Sequence, residues 1–245
     1  MVSTKEKIAR IKDYYTFNSQ EKLGLVIGML VTGFLFSFRD WGAEQFEVAI
    51  GLTNFVLACF AALLLFVARF TLQKWYGLAQ GYKVTFKPWW IGMAIAVVIT
   101  FITNGWVPLI LVGGVSVAFI SKHRLGEFRY GFSYWQNGII SLWAVYSSVI
   151  MATLFGLGSY FFPSSYFFDK GLSMSIMMGF LVLLPLPQLE AFSLYYAEAW
   201  LYIVAIVIMV LAAALLLSKA LIGIIICIVL LLMAAVIYYF VGSHK

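Results

Sequence analysis

FEVAIGLTNFVLACFAALLLFVARFTLQKWYGLAQG, residues 46–81, is the stretch on which the fold turns. From Phe46 to Ala68 the only charged residue is Glu47. A helix that crosses a bilayer needs about 20 predominantly apolar residues, and this run supplies them without interruption. Arg69 ends the run and opens a mixed segment that continues to Trp90. The expectation is therefore a membrane-crossing helix over 46–68 with a charged, aromatic tail.

The same pattern repeats on both sides. Leu23–Phe38 is a candidate span, followed by the polar turn RDWGAEQ. Ile91–Ile120 is a long apolar run broken by Asn104-Gly105-Trp106 and Pro108, residues that mark a turn or a broken helix. Ser121–Asn137 is basic and aromatic. Gly138–Phe162 is a further span, and Pro163-Ser164-Ser165 turns the chain into Gly171–Leu184. That run ends in LPLPQLE, where Pro185 and Pro187 stop a regular helix. Leu201–Leu217 and Leu221–Val241 form a last helical hairpin around Ser218-Lys219. The fold class read from this is all-α: a polytopic transmembrane bundle of about six to eight membrane segments, with an N-terminal segment over 1–22 and a transmembrane domain over 23–241.

Composition agrees. The 245 residues are 64% hydrophobic and only 11% charged, with mean hydropathy +0.99; soluble chains carry about 25% charged residues. So much apolar surface needs lipid as its solvent, which excludes a water-soluble nucleic-acid binder in spite of the formal charge of +6. Cys59 and Cys227 lie in apolar runs and read as packing residues. His123 and His244 are the only histidines and have no partner at ligand spacing, so no histidine-built metal site and no cofactor are expected. The first 22 residues lack an apolar core of signal-peptide length; Ile8, Ile11 and Tyr15 fall near helical spacing and suit an interfacial helix.

Positive charge orients the bundle. With a cytoplasmic N-terminus, and with Ile91–Ile120 entering and leaving on one side as two short helices, Lys5, Lys7, Arg10, Lys12, Lys22, Arg69, Lys74, Lys83, Lys87, Lys122, Arg124, Arg129 and Lys245 all lie inside. Only Arg39, Lys170 and Lys219 lie outside. That bias follows the positive-inside rule, and a single crossing by 91–120 would weaken it. Trp89 and Trp90 fit an aromatic belt, Gly113-Gly114 a close helix approach. Lys122, Arg124, Arg129, Phe128, Tyr130, Tyr134 and Trp135 suit a loop facing lipid headgroups.

Three segments, in order, resemble the site-2 protease family of intramembrane zinc metalloproteases, and its archaeal members most. RFTLQKWYGLAQG (69–81) is similar to the family's helix end bearing HExxH. GIISLWAVYSSVIMA (138–152) resembles its G-x-I-S-L-A-G-P-x-x-N stretch, and VLLPLPQLEAF (182–192) its N-x-x-P-x-P-x-L-D-G segment. The likeness spans about residues 46–200. It implies a core in which two histidines one helical turn apart and a distant aspartate bind zinc while a glutamate activates the bound water.

This chain departs from that pattern where the chemistry resides. Arg69 stands at the first histidine, Phe70 at the catalytic glutamate, Gln73 at the second histidine, and Glu190 at the aspartate, followed by Ala191. Val145 and Ser148 replace the proline and asparagine of the second segment, and Val182 the asparagine of the third; Pro185 and Pro187 remain. Arginine is always protonated and does not ligate zinc. The resemblance therefore implies a relative with no catalytic residues and no metal, in which Arg69 and Glu190 converge as an intramembrane ion pair with Gln73 beside them. Ser147 and Ser148 have no nearby base and read as packing residues; no GxSxG elbow and no phosphate-binding loop is present.

Three functions remain open on the sequence. The first is a non-catalytic membrane protein that binds the transmembrane helices of other proteins or serves as a subunit of a membrane complex, with the bilayer and such helices as its partners. The second is an active intramembrane metalloprotease with an atypical site. The third is a small transporter or channel, which the nearly charge-free spans disfavour and the two broken apolar segments keep in view.

Overall fold

The computed structural model describes residues 4–42, 46–120 and 133–242, with side chains over 5–42, 46–120 and 133–233. Among them are nine helices and one two-stranded ladder: α1 (Thr4–Tyr14), α2 (Ser19–Ser37), α3 (Val48–Ala79), β1 (Tyr82–Pro88), α4 (Trp90–Ile102), β2 (Gly113–Phe119), α5 (Tyr134–Phe161), α6 (Tyr166–Val182), α7 (Ala191–Ala197), α8 (Ala199–Leu217) and α9 (Leu221–Gly242). Four of them, α2, α3, α5 and α8, are long and apolar enough to cross a membrane. Apolar side chains on the outside of the bundle mark the same thing: Val56, Phe60 and Val67 of α3 and Ile203, Val207 and Val210 of α8 are exposed in rows at helical spacing. The chain is mostly helical and built for a membrane.

Small residues let the central helices approach. Ala58, Ala61 and Ala62 of α3, Ala144 of α5 and Ser175 of α6 are completely or almost completely buried. At Gly33 of α2 a Cβ would stand 2.3 Å from Cys59 Sγ and 3.0 Å from the Cys59 backbone nitrogen. Without hydrophobic drive between helices in lipid, such close backbone packing is what holds a membrane bundle together. The two cysteines are free and buried, as packing residues are.

Helix ends follow local chemistry. Asn18 and Glu21 form a capping box at the start of α2: Ser19 N donates to Asn18 Oδ1 at 2.7 Å, and Asn18 N donates to Glu21 Oε2 at 2.7 Å. Helix α3 does not stop at Ala68. Arg69–Ala79 continues it without a break, and Gly81 at φ +81° ends it in the left-handed conformation that favours glycine. The result is a helix of 32 residues, ~48 Å long.

The segment 91–120 is corrected in form. Its first arm is the helix α4, but the second arm, expected as a helix, is extended and becomes β2. The strands pair antiparallel, with Tyr82 opposite Phe119 and Pro88 opposite Gly113. Trp89 N donates to Val112 O at 2.8 Å, so the element returns to the end of the bundle from which it left. Gly113 is required here: its φ is +127°, and a Cβ would lie 2.2 Å from Lys87 O. The physical reason for the strand is the β-branched, alternating sequence on both sides: Tyr82, Val84 and Phe86 point into the core while Lys83 and Lys87 point out.

Helix α1 forms within the N-terminal segment and lies against α3; Tyr15, just beyond it, shares a hydrogen bond of 3.0 Å with Thr71 Oγ1. Ile8 is exposed and Ile11 half-buried. The expected terminal hairpin is α8 and α9, turned at Lys219 with φ +51°. The basic residues Lys122, Arg124 and Arg129, both histidines and Lys245 lie outside the described residues.

Candidate functional site

Arg69 and Gln73 are one turn apart on the inner face of α3, so their side chains reach the same neighbour. That neighbour is Glu190, placed by the proline-broken link between α6 and α7. Arg69 Nη2 stands 2.5 Å from Glu190 Oε2. Gln73 Nε2 donates to Glu190 Oε1 at 3.4 Å and to Ile140 O of α5 at 3.3 Å. Residues from 69–81, 138–152 and 182–192 therefore meet at Gln73. A fourth segment joins them: Arg69 Nη2 is 3.5 Å from Gly113 O. Gly114 admits the link, because a Cβ there would lie 2.6 Å from Gln188 O and 3.5 Å from Glu190 Cδ.

The group is buried, with Arg69 2%, Gln73 0% and Glu190 2% exposed. Charges taken from water at that depth are tolerable only when paired and further hydrogen-bonded. Among the described residues, Arg69 Nε and Gln73 Oε1 have no protein partner. Phe70 takes no part in the polar group. Its ring packs 4.3 Å from the Phe86 ring, and the Arg69 guanidinium lies 5.1 Å from its centroid. Ser148 and Val182 are buried in the apolar interior; both Ser147 and Ser148 donate to Ala144 O, at 2.8 and 3.0 Å, inside their own helix.

These residues do not fit zinc. A guanidinium, an amide and one carboxylate already held by both form a poor donor set. Among the described residues, no three of His, Cys, Asp and Glu come together. What the arrangement does chemically is cross-link: one carboxylate joins α3 to the start of α7, and Gln73 adds α5.

A second buried ion pair, Glu21 with Lys74, is not apparent from the sequence alone. Glu21 Oε1 lies 2.8 Å from Lys74 Nζ and accepts from Phe86 N at 2.7 Å. Lys74 Nζ also donates to Thr16 O at 2.8 Å and stands 3.8 Å over the Phe17 ring. This group ties α2, α3 and β1 together. Its signal is partial: Asn18-x-x-Glu21 is a capping-box pattern, and a lysine ending an apolar helix needs a counter-charge once packing buries it.

Between the start of α2, the ladder and the 187–193 turn opens a groove of about 920 Å³, lined among others by Glu21, Thr85, Gly114, Pro187 and Gln188. It lies beside the Arg69–Glu190 group: Gly114 lines the groove, and a Cβ there would lie 3.5 Å from Glu190 Cδ. Neither Arg69 nor Glu190 lines the groove itself. Comparison with known proteins places no neighbour beside this arrangement: no protein family, no curated protein and no solved structure matches the chain.

Proposed function

We propose that this is a non-catalytic relative of the site-2 proteases, with the core of that family and six to eight membrane segments, which binds transmembrane helices of other membrane proteins or serves as a subunit of a membrane complex. In this reading Arg69 and Glu190 do the joining that a metal does in the active enzymes. The observation that carries it is the meeting of the segments 69–81, 138–152 and 182–192 at Gln73, through Glu190 Oε1 and Ile140 O. A groove next to that meeting point gives a client something to lie against. Because Arg69, Gln73 and Glu190 are buried, a client contacts the groove wall and not the ion pair itself.

A photo-crosslinking side chain at Gln188, on the groove wall, is expected to capture transmembrane partners. The same group at Val210, exposed on α8, is expected to capture lipid or nothing. Equal capture at both sites, or none at Gln188, would remove the reading.

The N-terminus is cytoplasmic in this proposal. Eight of the described basic residues, Lys5, Lys7, Arg10, Lys12, Lys22, Lys74, Lys83 and Lys87, belong to α1 and to the end of the bundle that carries the ladder, and cytoplasmic ends are the basic ones. Cysteine placed at Ser218, exposed at the α8–α9 turn, should react in intact cells with a membrane-impermeant maleimide. The native cysteines are buried and leave the background low. Labelling only after the membrane is opened would reverse the orientation.

A further inference from the structure

At the end of the bundle away from the ladder, the described residues include only three basic side chains: Arg39, Lys170 and Lys219. They come from just past the end of α2, the N-terminal part of α6 and the α8–α9 turn. All three line one cavity of about 550 Å³, together with Asp40, Asp169 and Trp106. A membrane protein tends to gather its basic residues at the opposite, cytoplasmic end, so three exceptions converging on one hollow call for a reason.

Two of the cations are held by carboxylates. Lys170 Nζ lies 2.6 Å from Asp40 Oδ2 and 3.3 Å from Phe36 O, and Tyr166 Oη donates to the same Asp40 oxygen at 2.7 Å. Lys219 Nζ lies 2.8 Å from Asp169 Oδ1, which Ser159 Oγ also contacts. Asp169 precedes the apolar part of α6. Burial pushes its pKa up, but the hydrogen bonds from Lys219 and Ser159 and the charges of Lys219 and Lys170 outweigh that and hold it below the ordinary value. Both lysines are thereby fixed in place with donors to spare, since an ammonium carries three.

Arg39 is different. Its guanidinium lies 4.0 Å from the Trp106 ring centroid, and it makes no ion pair with any described residue. The ring orients the planar fork and leaves its N–H groups free, the arrangement suited to bidentate contact with an oxyanion. Among the described residues that line the cavity, three cations against two carboxylates leave one positive charge in excess. The level is also informative. Trp106, Phe161 and Phe162 are exposed at this end of the bundle, and exposed aromatic rings gather where lipid headgroups begin.

We infer that this cavity binds a phosphate group, gripped by Arg39 with Lys170 and Lys219 at its sides, as carried by an anionic phospholipid headgroup or by free phosphate. The site is separate from the groove and from the Arg69–Glu190 group, and it does not depend on the function proposed above.

The test uses the full chain in nanodiscs of phosphatidylcholine mixed with phosphatidylglycerol, followed by native mass spectrometry of the lipid retained. Wild type should keep phosphatidylglycerol in preference to phosphatidylcholine. Arg39→Gln should lower that retention about tenfold, the loss of one charge-assisted contact, whereas Lys87→Gln at the other end of the bundle should leave it unchanged. Arg39 is solvent-exposed, and the melting temperature of each variant reports that it is folded. A parallel arm adds inorganic phosphate to protein in phosphate-free detergent. A rise in melting temperature that Arg39→Gln abolishes assigns the site to free phosphate, and retention of phosphatidylglycerol without that rise assigns it to lipid. Wild type that shows neither the lipid preference nor the phosphate shift overturns the proposal without any substitution, and equal losses in Arg39→Gln and Lys87→Gln overturn it as well.

Discussion

Glu190→Ala should destabilise the folded chain by about 3–5 kcal/mol, read as a large drop in the midpoint of thermal or denaturant unfolding in a mild detergent. The reasoning is that of a stranded charge. Glu190 is 2% exposed and takes hydrogen bonds from Arg69 and Gln73. Removing it leaves a guanidinium with no counter-ion at a site where burial already denies it water. Arg69→Ala should cost a similar amount for the mirror reason. The pair is then a coupled unit: Arg69→Glu with Glu190→Arg should recover part of the loss, and Arg69→Met with Glu190→Leu should recover most of it, because an apolar pair strands nothing. Strictly additive losses in the double variants, or a cost below about 1 kcal/mol for Glu190→Ala, would show that the two charges are solvated and independent.

The second large effect falls on Glu21. This carboxylate accepts from Phe86 N, from Asn18 N and from Lys74 Nζ, all within 3.0 Å. Glu21→Ala removes the Glu21 half of the capping box of α2, leaves the Phe86 amide unpaired in the interior, and strips Lys74 of its counter-charge. A single capping hydrogen bond is worth about 1 kcal/mol, and breaking a buried pair costs about 3–5 kcal/mol, so the whole substitution should approach the cost of Glu190→Ala. Glu21→Gln keeps one oxygen acceptor and should cost distinctly less. Hydrogen exchange locates the effect: the Phe86 amide should lose protection in Glu21→Ala far more than the amides of α5. Unchanged protection at Phe86 would mean that the ladder does not depend on this carboxylate.

These two groups show what a sequence discloses and what it withholds. Apolar runs, prolines and the Ser218-Lys219 turn were enough to mark where the long helices lie, because lipid demands an unbroken stretch of apolar side chains. Arg69, Gln73 and Glu190 could be named together, because a resemblance linked segments far apart in the chain. The ladder is not legible: each strand has only seven residues, and the alternation along a strand does not name its partner across an intervening helix. For the same reason the continuation of α3 past Arg69 was hidden. Charges at 69 and 74 read as the end of an apolar helix, although Glu190 and Glu21, far away in sequence, neutralise them. In the sequence Lys170, Lys219 and Arg39 are only topological exceptions, since their shared cavity exists only once α2, α6 and α8 are packed.

The length of α3 carries a last consequence. At ~48 Å it exceeds the ~30 Å hydrocarbon layer by several turns, and its first residue, Val48, lies at the end occupied by Arg39 and Lys170. Counting about 20 residues inward from Val48 brings the edge of the oily layer to the neighbourhood of Arg69. A hydrocarbon layer that began at Val48 would thus end near the guanidinium and its carboxylate, and what keeps water from the two charges there is the protein packed around them, Arg69 and Glu190 each being 2% exposed.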